Sequence, residues 1–324
     1  MTTSILIPSF RAADSVAGVI ASLPAWVNHI IVVDDASPDG TAAVVEAFND
    51  PRVILLSHER NRGLGAAMAT GYARALELNS DVVIKMDSDG QMDPGYLPAL
   101  VAAITQGGYG YAKGNRFFDL RSLRDMPKLR LWGSIVLSLL TKAASGYWNL
   151  TDPQNGYVAI SGETLRRLDL QALDKRFFFE NEMLIQLNIL SVPVAEIPMP
   201  ARYDNHVSTM KLSRILFDYP PKLFAGWLKR MWLKYFSLAV SPIAVLLAAG
   251  VPMFLWGIAT GFEEWHRSAM LNRATPVGTV MLSAVPLILG FQMILQALVM
   301  DVANTPRGGD IPRIPCDDTD PNTD

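Results

Sequence analysis

Over its first two hundred residues the chain alternates short apolar runs with polar turns, and it changes character after residue 211. Residues 4–7, 29–33, 53–57 and 82–86 are apolar and rich in β-branched side chains, which predicts buried strands. Residues 14–23 and 41–48 between them have helical spacing, the first with Asp14 as its N-cap, and the Gly-rich turn 61–67 leads into a small-residue helix reaching about residue 78. Strands and helices alternating at this interval predict an α/β fold, a mainly parallel sheet of βαβ crossovers with helices on both faces. Further strands are expected at 109–113, 158–161 and 192–197, and helices at 131–144 and 177–190. The helix at 131–144 is too short to cross a bilayer.

From Lys211 onward, apolar and aromatic residues mix with Lys211, Arg214, Lys222, Lys229, Arg230 and Lys234. Pro220-Pro221 predicts a split into two short amphipathic helices of the kind that lie in a membrane interface. Residues 236–260 and 276–300 are uncharged runs long enough to span, with a polar loop at 263–273 between them. The six basic residues of 211–234 face only Asp218, which places both flanks of this two-span anchor in the cytoplasm. The tail beyond Asp301 is rich in Pro, Asp and Thr and reads as disordered. The expected divisions are 1–205 (catalytic), 206–235 (interface), 236–301 (anchor) and 302–324 (tail).

Composition sharpens this picture. The chain has 324 residues, 50% of them hydrophobic and 18% charged, and its apolar excess is concentrated in the expected spans. A net charge of −3 supplies no basic field for nucleic acid. The single cysteine, Cys316, excludes an intrachain disulfide framework or a cysteine zinc site and is compatible with a reducing compartment. The first residues lack a basic segment followed by an apolar core, so no signal peptide is expected.

The chemistry concentrates in Lys85-Met86-Asp87-Ser88-Asp89-Gly90-Gln91-Met92-Asp93-Pro94. Asp87 and Asp89 stand where a strand meets a turn, the edge at which open α/β sheets bind ligands. Two carboxylates there repel unless a cation lies between them, and hard oxygen donors suit Mg²⁺ or Mn²⁺ with substrate phosphates. A solvated acidic turn is the plainer alternative. Gly63-Leu64-Gly65 is neither a dinucleotide fingerprint nor a phosphate loop, and reads as a tight turn with close helix packing, lining of a donor site being the alternative.

Three motifs in this order carry a resemblance: Ile7-Pro8-Ser9-Phe10, Val32-Val33-Asp34-Asp35-Ala36-Ser37-Pro38-Asp39-Gly40-Thr41 and Asp87-Ser88-Asp89-Gly90-Gln91. The chain resembles family 2 glycosyltransferases of the GT-A fold, and within them the dolichol-phosphate mannose synthase and polyprenyl-phosphate glycosyltransferase group. The resemblance implies transfer of a hexose from a nucleotide sugar to a polyprenyl phosphate at the cell membrane, with the catalytic domain cytoplasmic. It implies that Pro8, Phe10 and Asp35 border the nucleotide, and that Asp87, Asp89 and Gln91 hold Mg²⁺ or Mn²⁺ against the donor diphosphate. Arg116 and Arg130 would face phosphate, and Arg202 and Lys211 would reach the donor. Family members often carry Asn and Glu where this chain has Arg11 and Ala12.

A phosphate nucleophile is anionic at neutral pH and needs no strong base. If a base acts, Asp152 comes first, then Glu180 and Glu182; a turn-forming Asp and helix N-terminal acids are the structural alternatives. Two rival activities stay open: transfer to a hydroxyl of a lipid-linked glycan, and a membrane-anchored nucleotide-sugar sensor without catalysis. A processive polysaccharide synthase would carry Gln-x-x-Arg-Trp and more spans, and neither is present. The partners expected are donor, polyprenyl phosphate and bilayer; a homo-oligomer is left open.

Overall fold

The structure, a computed structural model, describes residues 1–118, 128–200, 212–237 and 241–309. Seven strands form one sheet: β1 (Thr3–Ser9), β2 (His29–Asp34), β3 (Val53–Ser57), β4 (Val82–Lys85), β5 (Tyr111–Asn115), β6 (Val158–Ser161) and β7 (Val194–Pro198). Their order is β3-β2-β1-β4-β6-β5-β7. All neighbours are parallel except at β6, which runs antiparallel to both β4 and β5.

The antiparallel strand decides where the site forms. The other six strands end at one edge, and β6 begins there, so the turn that precedes Val158 enters at the same edge. Within the row, Lys85 of β4 pairs with Val158, and Val158 pairs with Lys113 of β5. Residues directly opposite in a sheet point to the same face. Two lysines therefore flank one valine inside a buried layer.

The helices of the sheet are α1 (Val16–Ser22), α2 (Thr41–Glu46), α3 (Leu64–Glu77), α4 (Leu97–Thr105), α5 (Lys128–Ser145), α6 (Gly162–Arg167) and α7 (Phe179–Ile189). Two apolar clusters cover its faces. One centres on Ile5, Ile7, Val32 and Ile84 under α1 and α4, the other on Leu6, Ile31, Val33 and Val83 under α3 and α7. Neighbouring β1 residues thus alternate between the clusters, as a strand covered on both sides requires. Helices α4 and α6 were not expected from the sequence. Ser15, and not Asp14, stands at the start of α1, and its hydroxyl donates to the Ser88 carbonyl at 2.6 Å.

Two expectations for the C-terminal third are corrected. Pro220 and Pro221 do not divide the amphipathic stretch: α8 runs unbroken from Leu212–Met231 with both inside it. Each proline has a helical φ of about −65° but brings no N–H, so the helix passes through both without their two backbone bonds. The span beginning at Pro242 does not stop before Glu263 either. Helix α9 covers Pro242–Leu271, and Arg267 bonds Glu263 at 2.8 Å and Glu264 at 2.9 Å along one face of its polar turns. It ends at Asn272, whose φ of 49° gives a left-handed cap. Helix α10 covers Val277–Ala303.

The chain divides into two compact units. One contains residues 1–227 and the C-terminal segment from 306, and the other residues 228–305. In the second, α9 and α10 form a hairpin in which glycines bring the backbones together. A Cβ at Gly257 would stand 2.7 Å from the Leu287 amide nitrogen, and one at Gly290 would stand 2.4 Å from that of Phe254. Both helices are long and apolar enough to cross a membrane. Gly257→Leu should therefore separate the hairpin and lower the melting temperature of the full chain in detergent, whereas Gly278→Leu, which meets nothing within 4 Å, should not. Equal melting of the two variants would refute this packing.

Candidate active site

Four strand ends supply the site. Pro8 lies buried near the end of β1, in register with Val33, and Phe10 just beyond it is 45% exposed, with the Arg11 guanidinium 5.4 Å from its ring centre. Arg11 and Ala36 both have positive φ, 57° and 58°, and the Arg11 amide donates to Ser37 Oγ at 3.0 Å. The loops after β1 and β2 are thus tied together through backbone conformations that side-chain-bearing residues rarely adopt.

Asp35 is buried, and both its oxygens have partners within the chain. The amides of Arg62 and Gly63 donate to Oδ1 and Oδ2 at 2.8 and 2.7 Å. His58 Nδ1 lies 2.7 Å from Oδ1, and its Nε2 lies 3.0 Å from Thr70 Oγ1. Asp35 therefore fixes the Gly63 turn, which also packs closely elsewhere: a Cβ at Gly63 would stand 2.5 Å from the Lys175 carbonyl, and one at Gly65 would collide with that of Asp174.

The acidic stretch after β4 is half in and half out of the protein. Asp87 is partly exposed and Asp89 exposed; Asp89 Oδ1 accepts the Gln91 amide at 3.0 Å. Lys85, almost fully buried, places its Nζ 2.8 Å from Asp87 Oδ1, 3.5 Å from Glu180 Oε1 and 3.1 Å from the Gly156 carbonyl. Burial works against its charge, but Asp87 and Glu180 outweigh that and hold the ammonium above its ordinary pKa. Lys113, on the other side of Val158, donates to the Pro153 carbonyl at 2.7 Å, and burial pulls its pKa down against the pull of Asp152, Glu180 and Glu196. The turn 153–156 is thus held at each end by a buried lysine.

That turn delivers Asp152 and Gln154. Asp152 is fully buried: Arg116 Nε and Nη2 donate to its Oδ2 and Oδ1 at 2.8 and 3.1 Å, and the Arg116 amide adds a bond at 3.2 Å. Glu196 of β7 accepts the amides of Thr151 and Asp152 on Oε1 at 2.7 and 2.8 Å, and Asn115 Nδ2 on Oε2 at 3.2 Å. Gln154 Nε2 bonds Thr141 Oγ1 and Asn181 Oδ1, both at 3.0 Å, joining the turn to α5 and α7. Glu180, at the first turn of α7, faces Lys85.

Asp87, Asp89, Asp152, Arg116, Phe10 and Asp35 therefore meet at one sheet edge. The side chain of Arg130, in α5, and all of Arg202 and Lys211 lie outside the described residues. Among the described residues no three His, Cys, Asp or Glu side chains converge as a complete metal cage. Two carboxylates at a strand end still fit a hard cation, which draws its remaining oxygens from diphosphate and water.

A family model for glycosyl transferase family 2 matches residues 4–168. The chain belongs to this family. The family 2 chain is similar to the UDP-N-acetylglucosamine–dolichyl-phosphate N-acetylglucosaminyltransferase of Methanococcus voltae, with 29% identity over 220 residues, 62% of this chain and 86% of that protein. It is 33% identical over 199 residues to the undecaprenyl-phosphate mannosyltransferase of Micrococcus luteus, covering 60% of this chain and 81% of that protein. Among solved structures it is similar to mannosyl-3-phosphoglycerate synthase from Rubrobacter xylanophilus, with a TM-score of 0.56, 18% identity and coverage of 74% and 77%. Glucosyl-3-phosphoglycerate synthase from Mycobacterium tuberculosis, solved with Mn²⁺, UDP and its product, gives 0.53, 22% identity and coverage of 71% and 79%. These likenesses show the GT-A fold of this family 2 glycosyltransferase.

Lys85, Lys113, His58 and Glu196 were missed in the sequence. The lysines and Glu196 interrupt apolar strands, and a charge inside such a run must be paired. Lys85→Met should leave Asp87, Glu180 and the Gly156 carbonyl without their shared cation and cost about 3–5 kcal/mol of stability by denaturant titration. Asp35→Ala strands two amides and should cost about 2–4 kcal/mol. A loss under about 1 kcal/mol in either would refute the pairing assigned.

Proposed function

We propose that this protein is a membrane-anchored glycosyltransferase that moves a hexose from a nucleotide sugar to a polyprenyl phosphate. The observation that carries the reading is that the strand register sets the Asp87/Asp89 pair, after β4, and Arg116, after β5, at the same sheet edge, in a chain that also carries two membrane-length helices. The names of the Methanococcus and Micrococcus relatives, which both specify a polyprenyl-type phosphate, support the same acceptor. The two relatives differ in sugar, so their names select no donor.

In this reading Phe10 and the strained loops after β1 and β2 take the nucleoside. Asp87 and Asp89 hold Mg²⁺ or Mn²⁺, the latter being the ion bound in the Mycobacterium structure, and Gln91 is placed beside them. Such an ion, when bound, offsets the charge that develops on the departing diphosphate. Arg116 meets the acceptor phosphate, together with Arg130, and Arg202 and Lys211 reach the donor. A guanidinium suits a phosphate because its donors form a rigid fork. The lipid phosphate oxygen is already anionic, so it attacks the anomeric carbon without surrendering a proton. The engagement of Asp152, whose two oxygens both accept from Arg116, accords with a nucleophile that needs no base.

The chain's own layout supports attachment to the cytoplasmic face of the cell membrane. Helix α8 exposes Phe224 and Leu228 beside Lys222 and Lys229, a composition suited to an anionic interface. The segment that follows α10 rejoins the catalytic unit, where Tyr109 donates its hydroxyl proton to the Gly309 carbonyl at 2.6 Å.

The deciding assay mixes full-length enzyme, undecaprenyl or dolichyl phosphate and a panel of GDP- and UDP-hexoses. One pair should give a polyprenyl-phosphate sugar, chelator should abolish turnover, and Asp89→Ala should lower it on the order of 100-fold or more at unchanged melting temperature. Transfer only to hydroxyl acceptors, or full turnover in chelator, would overturn the reading. Cys316, the single cysteine and a native reporter beyond the second span, should react with an impermeant maleimide in inverted vesicles and stay unlabelled in intact cells. The reverse pattern would refute the topology.

A further inference from the structure

We infer that Asp152 is a positioning residue for Arg116, and that Glu196 supports it from β7; neither is the base of the transfer. The inference rests on the proposed polyprenyl-phosphate activity. It goes beyond that activity in assigning an aiming device to two acids of the site.

The geometry is specific. Asp152 is 0% exposed, whereas 37% of the Arg116 side chain is exposed. Arg116 is therefore the partner that can meet a ligand, and Asp152 acts from behind it. Three donors of one residue, Nε, Nη2 and the amide nitrogen, converge on the two Asp152 oxygens. Two bonds to the guanidinium fix its plane, and the third fixes the backbone from which it departs. Asp152 is in turn fixed by its own amide: Glu196 Oε1 accepts from both Thr151 and Asp152. The other Glu196 oxygen takes Asn115 Nδ2, one residue before Arg116. The two acids thus bind the two chain segments, 115–116 and 151–152, to one another and to the end of β7. Lys113 braces the same turn from behind through its bond to the Pro153 carbonyl.

A base must expose an oxygen to the group whose proton it takes. Asp152 presents none while Arg116 holds both, and freeing one would strand the guanidinium. An aiming role makes the opposite demand: the acid should be buried, doubly bonded and rigid, since supporting residues that leave a site loose by ~1 Å cost much of its function.

The test compares wild type, Asp152→Asn and Glu196→Gln as full-length proteins in nanodiscs. Four quantities are measured: the KM for a short-chain prenyl phosphate, kcat, the donor Kd, and the pH profile of kcat. Asp152→Asn should raise the acceptor KM about tenfold or more and leave donor affinity and the shape of the pH profile unchanged. Glu196→Gln should shift KM the same way by less, which keeps the inference testable if Asp152→Asn folds poorly. A second arm needs no turnover: phenylglyoxal modification of Arg116, followed by mass spectrometry, should be several-fold faster in both variants than in wild type. Loss of kcat with KM unchanged and the acid limb abolished would make Asp152 a base and overturn the inference. Unchanged Arg116 modification would overturn it as well. If wild type itself glycosylates no prenyl phosphate, the proposed function fails instead, and the modification arm still decides whether Asp152 holds Arg116.

Discussion

One buried ammonium holds the site together. Lys85 sits under the sheet edge with Asp87, Glu180 and the Gly156 carbonyl around its Nζ. Each partner belongs to a different element: the end of β4, the start of α7 and the turn into β6. A buried charge that loses its partners costs several kcal/mol, against a total stability of about 5–15 kcal/mol for a typical protein. The three elements are therefore not independently adjustable. Lys113 repeats the device across Val158 and closes the far end of the same turn. A Cβ at Gly156 would stand 2.6 Å from Lys85 Nζ, so a side chain there would have to move the ammonium off its partners.

This frame separates two kinds of acid at one edge. Asp35, Asp152 and Glu196 are engaged with amides, an imidazole or a guanidinium. Asp89 is exposed, and Asp87, partly exposed, pairs one oxygen with Lys85 while standing at the surface of the site. Bonded, sequestered carboxylates fix backbone and cations in place; exposed ones are available to a ligand. Strain falls on the same edge, at Arg11 and Ala36, where the local cost is on the order of 1 kcal/mol or more each. The edge is rigid where it aims and open where it binds.

Much of the fold was legible because a strand covered on both faces writes itself as an apolar run, as in β1, β2 and β4. The parallel order followed from strand–helix alternation. The reversal of β6 was not legible, because four residues carry no sign of direction; only pairing with β4 and β5 sets it. The motifs gave the site's exposed carboxylates and its loops. The supporting charges were hidden, since Lys85, Lys113 and Glu196 are single polar letters in apolar strands and, Asp87 apart, the partners cited for them lie 40 to 95 residues away. The continuous helix through Pro220 and the polar turns of α9 escaped for another reason: local breakers and charges were read as ends, where backbone φ and i, i+3 or i, i+4 pairs sustain the helix.

In the proposed reading, the acceptor sets the last constraint. A polyprenyl chain leaves the bilayer only at about 0.8 kcal/mol per CH₂ brought into water, so the phosphate stays at the membrane surface and the enzyme must come to it. An anchor that entered and left on opposite sides would put the chain's last residues across the membrane from the catalytic unit. Residues 306–309 belong to the same compact unit as residues 1–227, and the Gly309 amide bonds the Gly107 carbonyl just before β5. In that reading the anchor needs an even number of crossings, and α9 and α10 are two helices long and apolar enough to make them. Gly257 and Gly290 bring the two helices into close backbone contact. In the proposed reading the hairpin is a tether, and the chemistry belongs to the sheet edge.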